Sequence, residues 1–367
     1  MSTNKLQASI IMGMEASNVA RVLVSLSAVA ALASQASAKP PAPKYNLIEI
    51  SDPGSVGKAE GLSIVNVSRE GRYMLAQNTY NHSFLLYGPD FTQPPKKLNS
   101  IGGFSKATFS CVNDHGFLVG TGDSSEPSQF FLLEIGTGSV QYFTGATGTG
   151  YVGTWFPTSI NARNNIEGTE LGRTASSYYR ATRWSADHNK IVFPDTAGVH
   201  INGISVDMTD DDYQIGYAQD PSGAVHDYAW IYHEGSPTLV SSATGGIDPA
   251  AISDTHAMVG TLYNGTFSRV LIYCKSVLSY LSPEVPGDPA VGLGIDAKNE
   301  VLGYENDQSD GKFWDRYGNA YGINNEIFNL TKGVTPVWVA LSQNGVLFGQ
   351  YLNPSTQMEE ACVAVPK

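Results

Sequence analysis

One short pattern of apolar and polar positions returns along the chain: an apolar residue, then Asn, Asp, Ser or Thr, two free positions, a turn residue, and an apolar stretch usually closed by Gly. It occurs seven times. The polar second positions are Ser68, Asn113, Asn161, Thr209, Ser253, Asp296 and Ser342, separated by 45, 48, 48, 44, 43 and 46 residues.

The pattern predicts a tight hairpin. Each second position holds a short oxygen-bearing side chain that accepts a backbone N–H two residues later, the geometry of an Asx- or ST-turn. Three residues on stand Gly71, Gly116, Asn164, Asp212, His256, Asn299 and Gly345, residue types that tolerate the left-handed backbone region at least cost. Apolar runs on both sides, such as Phe117-Leu118-Val119 and Val346-Leu347-Phe348, read as the two buried strands that the turn joins. Six copies close with Gly120, Gly168, Gly216, Gly260, Gly303 and Gly349; in the first, Leu75-Ala76 takes that place.

After each hairpin a polar stretch leads to an aromatic-rich third strand, for example Phe84-Leu85-Leu86-Tyr87, Ala229-Trp230-Ile231-Tyr232 and Phe313-Trp314. A fourth follows in six copies, as in Val140-Gln141-Tyr142-Phe143, but the seventh copy reaches the end of the chain first. An unused strand stands at the other end, in Tyr45-Asn46-Leu47-Ile48-Glu49-Ile50. Four strands per unit and a period in the mid-forties are the dimensions of a propeller blade. The expected fold is therefore an all-β, seven-bladed propeller over residues 45–367, with blades of four strands and closure by the N-terminal strand pairing with the C-terminal blade.

These hairpins resemble the HAF repeat family of extracellular repeat proteins. The likeness rests on Ser159-Ile160-Asn161-Ala162-Arg163-Asn164, on Val112-Asn113-Asp114-His115-Gly116 and on Val119-Gly120. The family's His-Ala-Phe triplet survives in pieces, as His82-Ser83-Phe84, Arg180-Ala181-Thr182 and Tyr228-Ala229-Trp230. The resemblance spans nearly all of the chain after its leader; it implies export and a propeller, and brings no catalytic residues with it.

The N-terminus agrees with export. Arg21 precedes the apolar run Val22 to Leu32, and Ala36-Ser37-Ala38 supplies the small residues a signal peptidase accepts. Residues 1–38 are thus read as a signal peptide, cleaved near Ala38, and 39–44 as a Pro-rich leader. The apolar run falls short of the roughly 20 residues that span a bilayer. The mature protein is expected in a periplasm or outside the cell. Its formal net charge of −12 over 367 residues argues against a nucleic-acid partner, which would need clustered Lys and Arg. The three cysteines, Cys111, Cys274 and Cys362, lie in apolar strand-like runs and read as buried thiols rather than a disulfide framework.

Candidate chemistry is sparse. Gly148-Thr149-Gly150-Tyr151-Val152-Gly153 matches G-x-G-x-x-G, but a hairpin follows where a dinucleotide site needs a helix N-terminus. No HExxH or G-x-S-x-G occurs. The run Asp207, Asp210, Asp211 and Asp212 invites calcium, yet sits at a turn where Asp is favoured for backbone reasons, and no cofactor is expected. The loops joining second to third and fourth to first strands should share one face, and His82, Asp123, Trp155, Tyr179, His226, Asp227 and Asp310 are the ligand-binding candidates there. Rings, carboxylates and imidazoles suit a sugar or a peptide. The leading expectation is a monomeric, non-catalytic binding or interaction protein with a protein or carbohydrate ligand. Its competitors are a glycan or peptide hydrolase or lyase working through His226, Asp227 and Asp310, and a structural repeat of the cell surface.

Overall fold

The structure is a computed structural model, describing residues 39–50, 61–79, 81–98, 107–122, 129–144, 151–172, 179–187, 190–192, 202–219, 228–235, 237–242, 244–264, 267–281, 288–306, 311–328, 335–354 and 357–367. Residues 1–41 form a unit apart from 42–367, and the account below concerns the second unit. Asp123, His226, Asp227 and Asp310 lie outside the described residues, as does the proposed signal peptide. Among the described residues no helix is long and apolar enough to cross a membrane.

The second unit is a seven-bladed β-propeller: seven four-stranded antiparallel sheets arranged in a ring. The inner strands of blades 1 to 7 are Leu62–Val67, Thr108–Val112, Tyr151–Ile160, Asn202–Met208, Gly246–Ile252, Ala290–Ile295 and Val337–Leu341. In blades 1 to 6 the other three strands follow in chain order. In blade 7 the outermost strand is Tyr45–Ile50, which runs antiparallel to Met358–Pro366 with Tyr45 opposite Pro366 and Ile50 opposite Ala361. Apolar clusters fill the wedges between blades, such as Leu75, Phe109, Leu118 and Phe131 between the first two. Between blades 3 and 4 the cluster among the described residues is Ala181, Ala218, Trp230 and Tyr232, and polar side chains including Glu167, Thr169 and Ser205 are buried beside it.

All seven hairpin turns have their fourth residue in the left-handed region, from Asn164 at φ 62° to Gly71 at φ 79°. The second positions divide by chemistry. Asn113, Asn161 and Asp296 accept N–H groups both two and four residues on. The hydroxyls of Thr209, Ser253 and Ser342 accept the N–H four residues on, and that of Ser68 the N–H of Tyr73. A hydroxyl oxygen sits one bond closer to the backbone than an amide oxygen, and it meets the far donor.

Every inner strand also carries a β-bulge at the same place, three residues before the polar second position of the pattern: Val65, Ser110, Thr158, Val206, Ala250, Leu293 and Val339. An extra residue reverses the alternation of side chains beyond it. That reversal turns the residue just after the bulge toward the next blade. Asn66 Oδ1 accepts the N–H of Val112 in blade 2 at 3.1 Å, and Asp207 Oδ2 that of Ile252 in blade 5 at 3.0 Å.

The turns themselves are joined from blade to blade. Ser68 donates to Asp114, Asn113 to Asn161 O and Asn164 Oδ1, and Asn161 to Thr209 O and Asp212 Oδ1. Asp211 meets His256, Ser253 donates to Asn299, Gln343 to Ile295 O, and the Gln343 N–H to Arg69 O. Each joint of the ring thus has its own polar tie at the hairpin end.

Candidate functional site

The inner strands surround an axial channel, and at the hairpin end two side chains seal it. Arg69 and Gln343 each follow the turn residue, one in the first blade and one in the last. Arg69 donates Nε–H to Asp254 Oδ1 at 2.5 Å, Nη1–H to Met208 O at 2.9 Å and Nη2–H to Ile252 O at 2.8 Å. Asp207 Oδ2 lies 3.7 Å from Nη1. Gln343 donates Nε2–H to Ile295 O at 3.0 Å and Ile252 O at 3.4 Å, while its Oε1 accepts the Asp254 N–H at 2.8 Å. The carbonyls of the residues that precede the turn in blades 4, 5 and 6 are thereby satisfied from blades 1 and 7.

Against this seal lies a cavity of about 190 Å³ to which every inner strand contributes, with Asn66, Ser159, Asp207, Leu293 and Ala340 in its wall. Two residues before each bulge, on the inner strands but outside the cavity lining, stand Ser63, Thr108, Phe156, Ile204, Asp248, Val291 and Val337. Phe156 is 49% and Val337 36% exposed, Thr108 and Asp248 are exposed, and the other three are half-buried. A large aromatic half in water on an innermost strand is the strongest sign of a contact surface in the ring.

Two carboxyl groups lie together in the wall between blades 3 and 4. Glu167 is fully buried, beside the Ser205 hydroxyl. Burial, and then the charge of Asp207, pushes its pKa well up. Asp207 is raised by burial as well, against the pull of Arg69. Ser159 Oγ donates to Asp207 Oδ1 at 3.4 Å.

The acidic run is dispersed by this geometry. Asp207 serves the cavity wall, Asp210 accepts the Ala162 N–H, and Asp211 accepts from Thr209 and contacts His256. Asp212 accepts from Asn161 and Asn165. Their oxygens are taken by four separate sets of donors. Among the described residues no group of three or more His, Cys, Asp or Glu is placed to hold a metal ion.

His82 stands exposed in the turn between the second and third strands of blade 1, at φ 56°. Trp155 is opposite Glu170 and Tyr179 opposite Leu171 in blade 3. Cys111 and Cys362 are buried free thiols and Cys274 is half-buried; burial pushes the Cys362 thiol up to about 12.

The sealing pair was missed, because its position was read as one of the two free places in the pattern; the signal that could have found it is that, among Arg69, Asp114, Ala162, Asp210, Asp254, Ala297 and Gln343 there, the two long side chains are the two that cross the axis. The bulges were hidden as well, since they have no residue signature: Val, Ser, Thr, Ala and Leu all occupy them.

Neither a protein-family model nor a curated protein sequence matches the chain. Solved structures do. A catalytically inactive virginiamycin B lyase from Staphylococcus aureus, solved with quinupristin, is similar with a TM-score of 0.55 at 10% identity, over 88% of this chain and 100% of that one. The β-propeller domain of the trilobed protease from Pyrococcus furiosus gives 0.53 at 14%, over 74% and 84%. The RRP9 WD40 repeats give 0.52 at 13%, over 89% and 99%. The chain shares the propeller fold with all three. At such identities the likeness is one of fold, and the three names describe unrelated tasks.

Proposed function

We propose that the chain is an exported propeller of the HAF repeat type that binds a ligand in the axial channel without transforming it. The observation that carries this reading is the division of the channel. At the sealed end the charged groups bond one another and backbone carbonyls, while further along the inner strands Phe156 and Val337 are exposed and Ile204 and Val291 half-buried. A rigid, one-ended well with an apolar wall is suited to burying the body of a ligand. The ligand enters from the side opposite the hairpins, where His82 stands in the turn between the second and third strands of blade 1.

The test is a thermal-shift screen of the full chain against oligosaccharides, peptides and small amphiphiles, since a ligand that binds the native state raises its melting temperature. A shift that Phe156→Asp abolishes and Tyr142→Asp, on the outer strand of blade 2, leaves intact supports the well. A shift that survives Phe156→Asp moves the site elsewhere, and the absence of any shift removes the reading.

One observation favours an enzyme instead. Raised, adjacent carboxyl groups beside a cavity are the arrangement from which general acids are made, and Glu167 and Asp207 have it. A glycan or peptide hydrolase or lyase using this pair would lose turnover in Asp207→Asn while its ligand-induced shift persisted.

A further inference from the structure

Resting on the reading of the channel as a binding site, we infer that the cavity against the seal takes a single uncharged pyranose ring, its hydroxyl rim on Asn66, Ser159 and Asp207 and one C–H face on Ala251, Leu293 and Ala340. All six residues line that cavity. Away from the sealing turns its wall is divided by blade. Blades 1, 3 and 4 contribute Asn66, Thr158, Ser159 and Asp207, whereas the wall residues of blades 5, 6 and 7 are Ala250, Ala251, Leu293, Gly294 and Ala340. A polar wall therefore faces an apolar one, which carries no side chain larger than Leu293.

The polar wall has bonding capacity left over. Asn66 spends its Oδ1 on the Val112 N–H, and among the described residues nothing accepts from its amide N–H groups. Asp207, a carboxylate with about four acceptor sites, accepts from the Met208 and Ile252 N–H groups and from the Ser159 hydroxyl, and 25% of its side chain stays exposed. Ser159 Oγ donates in that bond, so its oxygen is left to accept. The wall thus offers an amide donor beside oxygen acceptors, and the hydroxyls of a sugar ring supply both complements at once. Charge is disfavoured in either sign. A cation would meet the Arg69 guanidinium and an anion the Asp207 carboxylate, which lie 3.7 Å apart, and a charge buried without its own partner is costly. Size agrees as well. The cavity of about 190 Å³ exceeds the roughly 150 Å³ in which an apolar protein cavity holds benzene, so one six-membered ring with its substituents fits, and a second ring has to lie further along the inner strands.

Calorimetric titration of the full chain with glucose, galactose and mannose, each free and as the non-reducing end of a disaccharide, is compared with titration by glucuronate, protonated glucosamine and cyclohexanol. At least one hexose is expected to bind, about tenfold more tightly than the two charged rings and the bare one. Ser159→Ala and Asn66→Ala should each weaken that binding about tenfold. Ser159 is half-buried, so its variant keeps the test open if Asn66→Ala, which also gives up the Val112 N–H, fails to fold. A hexose bound equally by both variants, or no more tightly than cyclohexanol, overturns the inference. Tighter binding of the disaccharide identifies the ring as the end of a glycan, and equal binding identifies a free sugar; either result supports the cavity as its seat. If no hexose binds but a peptide or an amphiphile shifts the melting temperature through Phe156, the pyranose is wrong and the binding reading stands; if no probe binds at all, both fall.

Discussion

Arg69, in the first blade, donates its Nε–H to Asp254, in the fifth, at 2.5 Å, so a side chain from the start of the ring is held by a carboxylate from its far side. With Gln343 from the last blade beside it, the two blades that flank the chain's ends are pinned to blades 4, 5 and 6. Asp254 is exposed and would be rehydrated on losing Arg69, but the carbonyls of Met208 and Ile252 would each lose a donor, at about 1–3 kcal/mol for a buried group left unsatisfied.

Arg69→Ala is therefore expected to lower stability by about 2 kcal/mol, read from the urea midpoint. Arg69→Lys should recover little, because one ammonium cannot reach Asp254, Met208 O and Ile252 O with the planar fork of a guanidinium. A lysine variant as stable as wild type would show that the seal is a charge effect and not a shaped one.

Asp296 stands where blades 2 and 3 have Asn113 and Asn161. Those amides donate to the fourth turn residue of the next blade, Asn164 and Asp212. Asp296 instead presents a buried, unpartnered Oδ2 there, 3.5 Å from where a Cβ on Gly345 would sit. Burial in particular pushes its pKa up to about 7. The native state thus holds a proton that the unfolded chain releases near pH 4, so wild type loses stability as pH rises from about 4 to about 7. Asp296→Asn keeps the Oδ1 acceptor and escapes that loss. Its melting temperature should exceed that of wild type, by more at pH 8 than at pH 5. A gap that is constant with pH would mean that Asp296 titrates normally.

Gly216 is required by space and Gly138 only by conformation. A Cβ on Gly216 would lie 2.1 Å from Ile204 O and 2.2 Å from the Trp230 ring, whereas at Gly138, with φ 73°, nothing stands within 4 Å. Gly138→Ala should cost about 1 kcal/mol, and Gly216→Ala more than 3 kcal/mol, since backbone and a fully buried indole must both move. Chemical denaturation of the two variants in parallel gives the comparison.

Deleting residues 39–52 removes the strand that pairs with Met358–Pro366 and exposes a row of unpaired backbone groups along an apolar strand containing Ala361, Cys362 and Val363. Such an edge templates association. Soluble yield should fall sharply; a truncated protein that melts like the full one would show that the pairing contributes little.

The repeat was readable because each hairpin needs the same backbone geometry, and only a few residue types meet it. His256 and Asn299 were visible as turn residues for that reason, although neither is Gly. The polar ties between blades were not visible, since Ser68, Asn113 and Asp211 look locally sufficient and their second partners lie roughly one period away in sequence. The channel wall was also missed. Phe156 and Val337 carry no signal in the sequence that sets them apart from other strand residues, yet both are exposed on inner strands. The loop candidates rested on topology alone, and Asp123, His226, Asp227 and Asp310 remain expectations.

The ties between hairpins differ from joint to joint: hydroxyl to carboxylate, amide to amide, amide to carboxylate, imidazole to carboxylate. Repeats this similar risk docking on the wrong neighbour while the chain folds. Here a misplaced blade would set acceptor against acceptor, as Asp211 against Asp114 were blade 2 to follow blade 4, and leave groups unmatched. The hairpin end works as a set of keyed couplings that writes the circular order of the blades into the assembly itself.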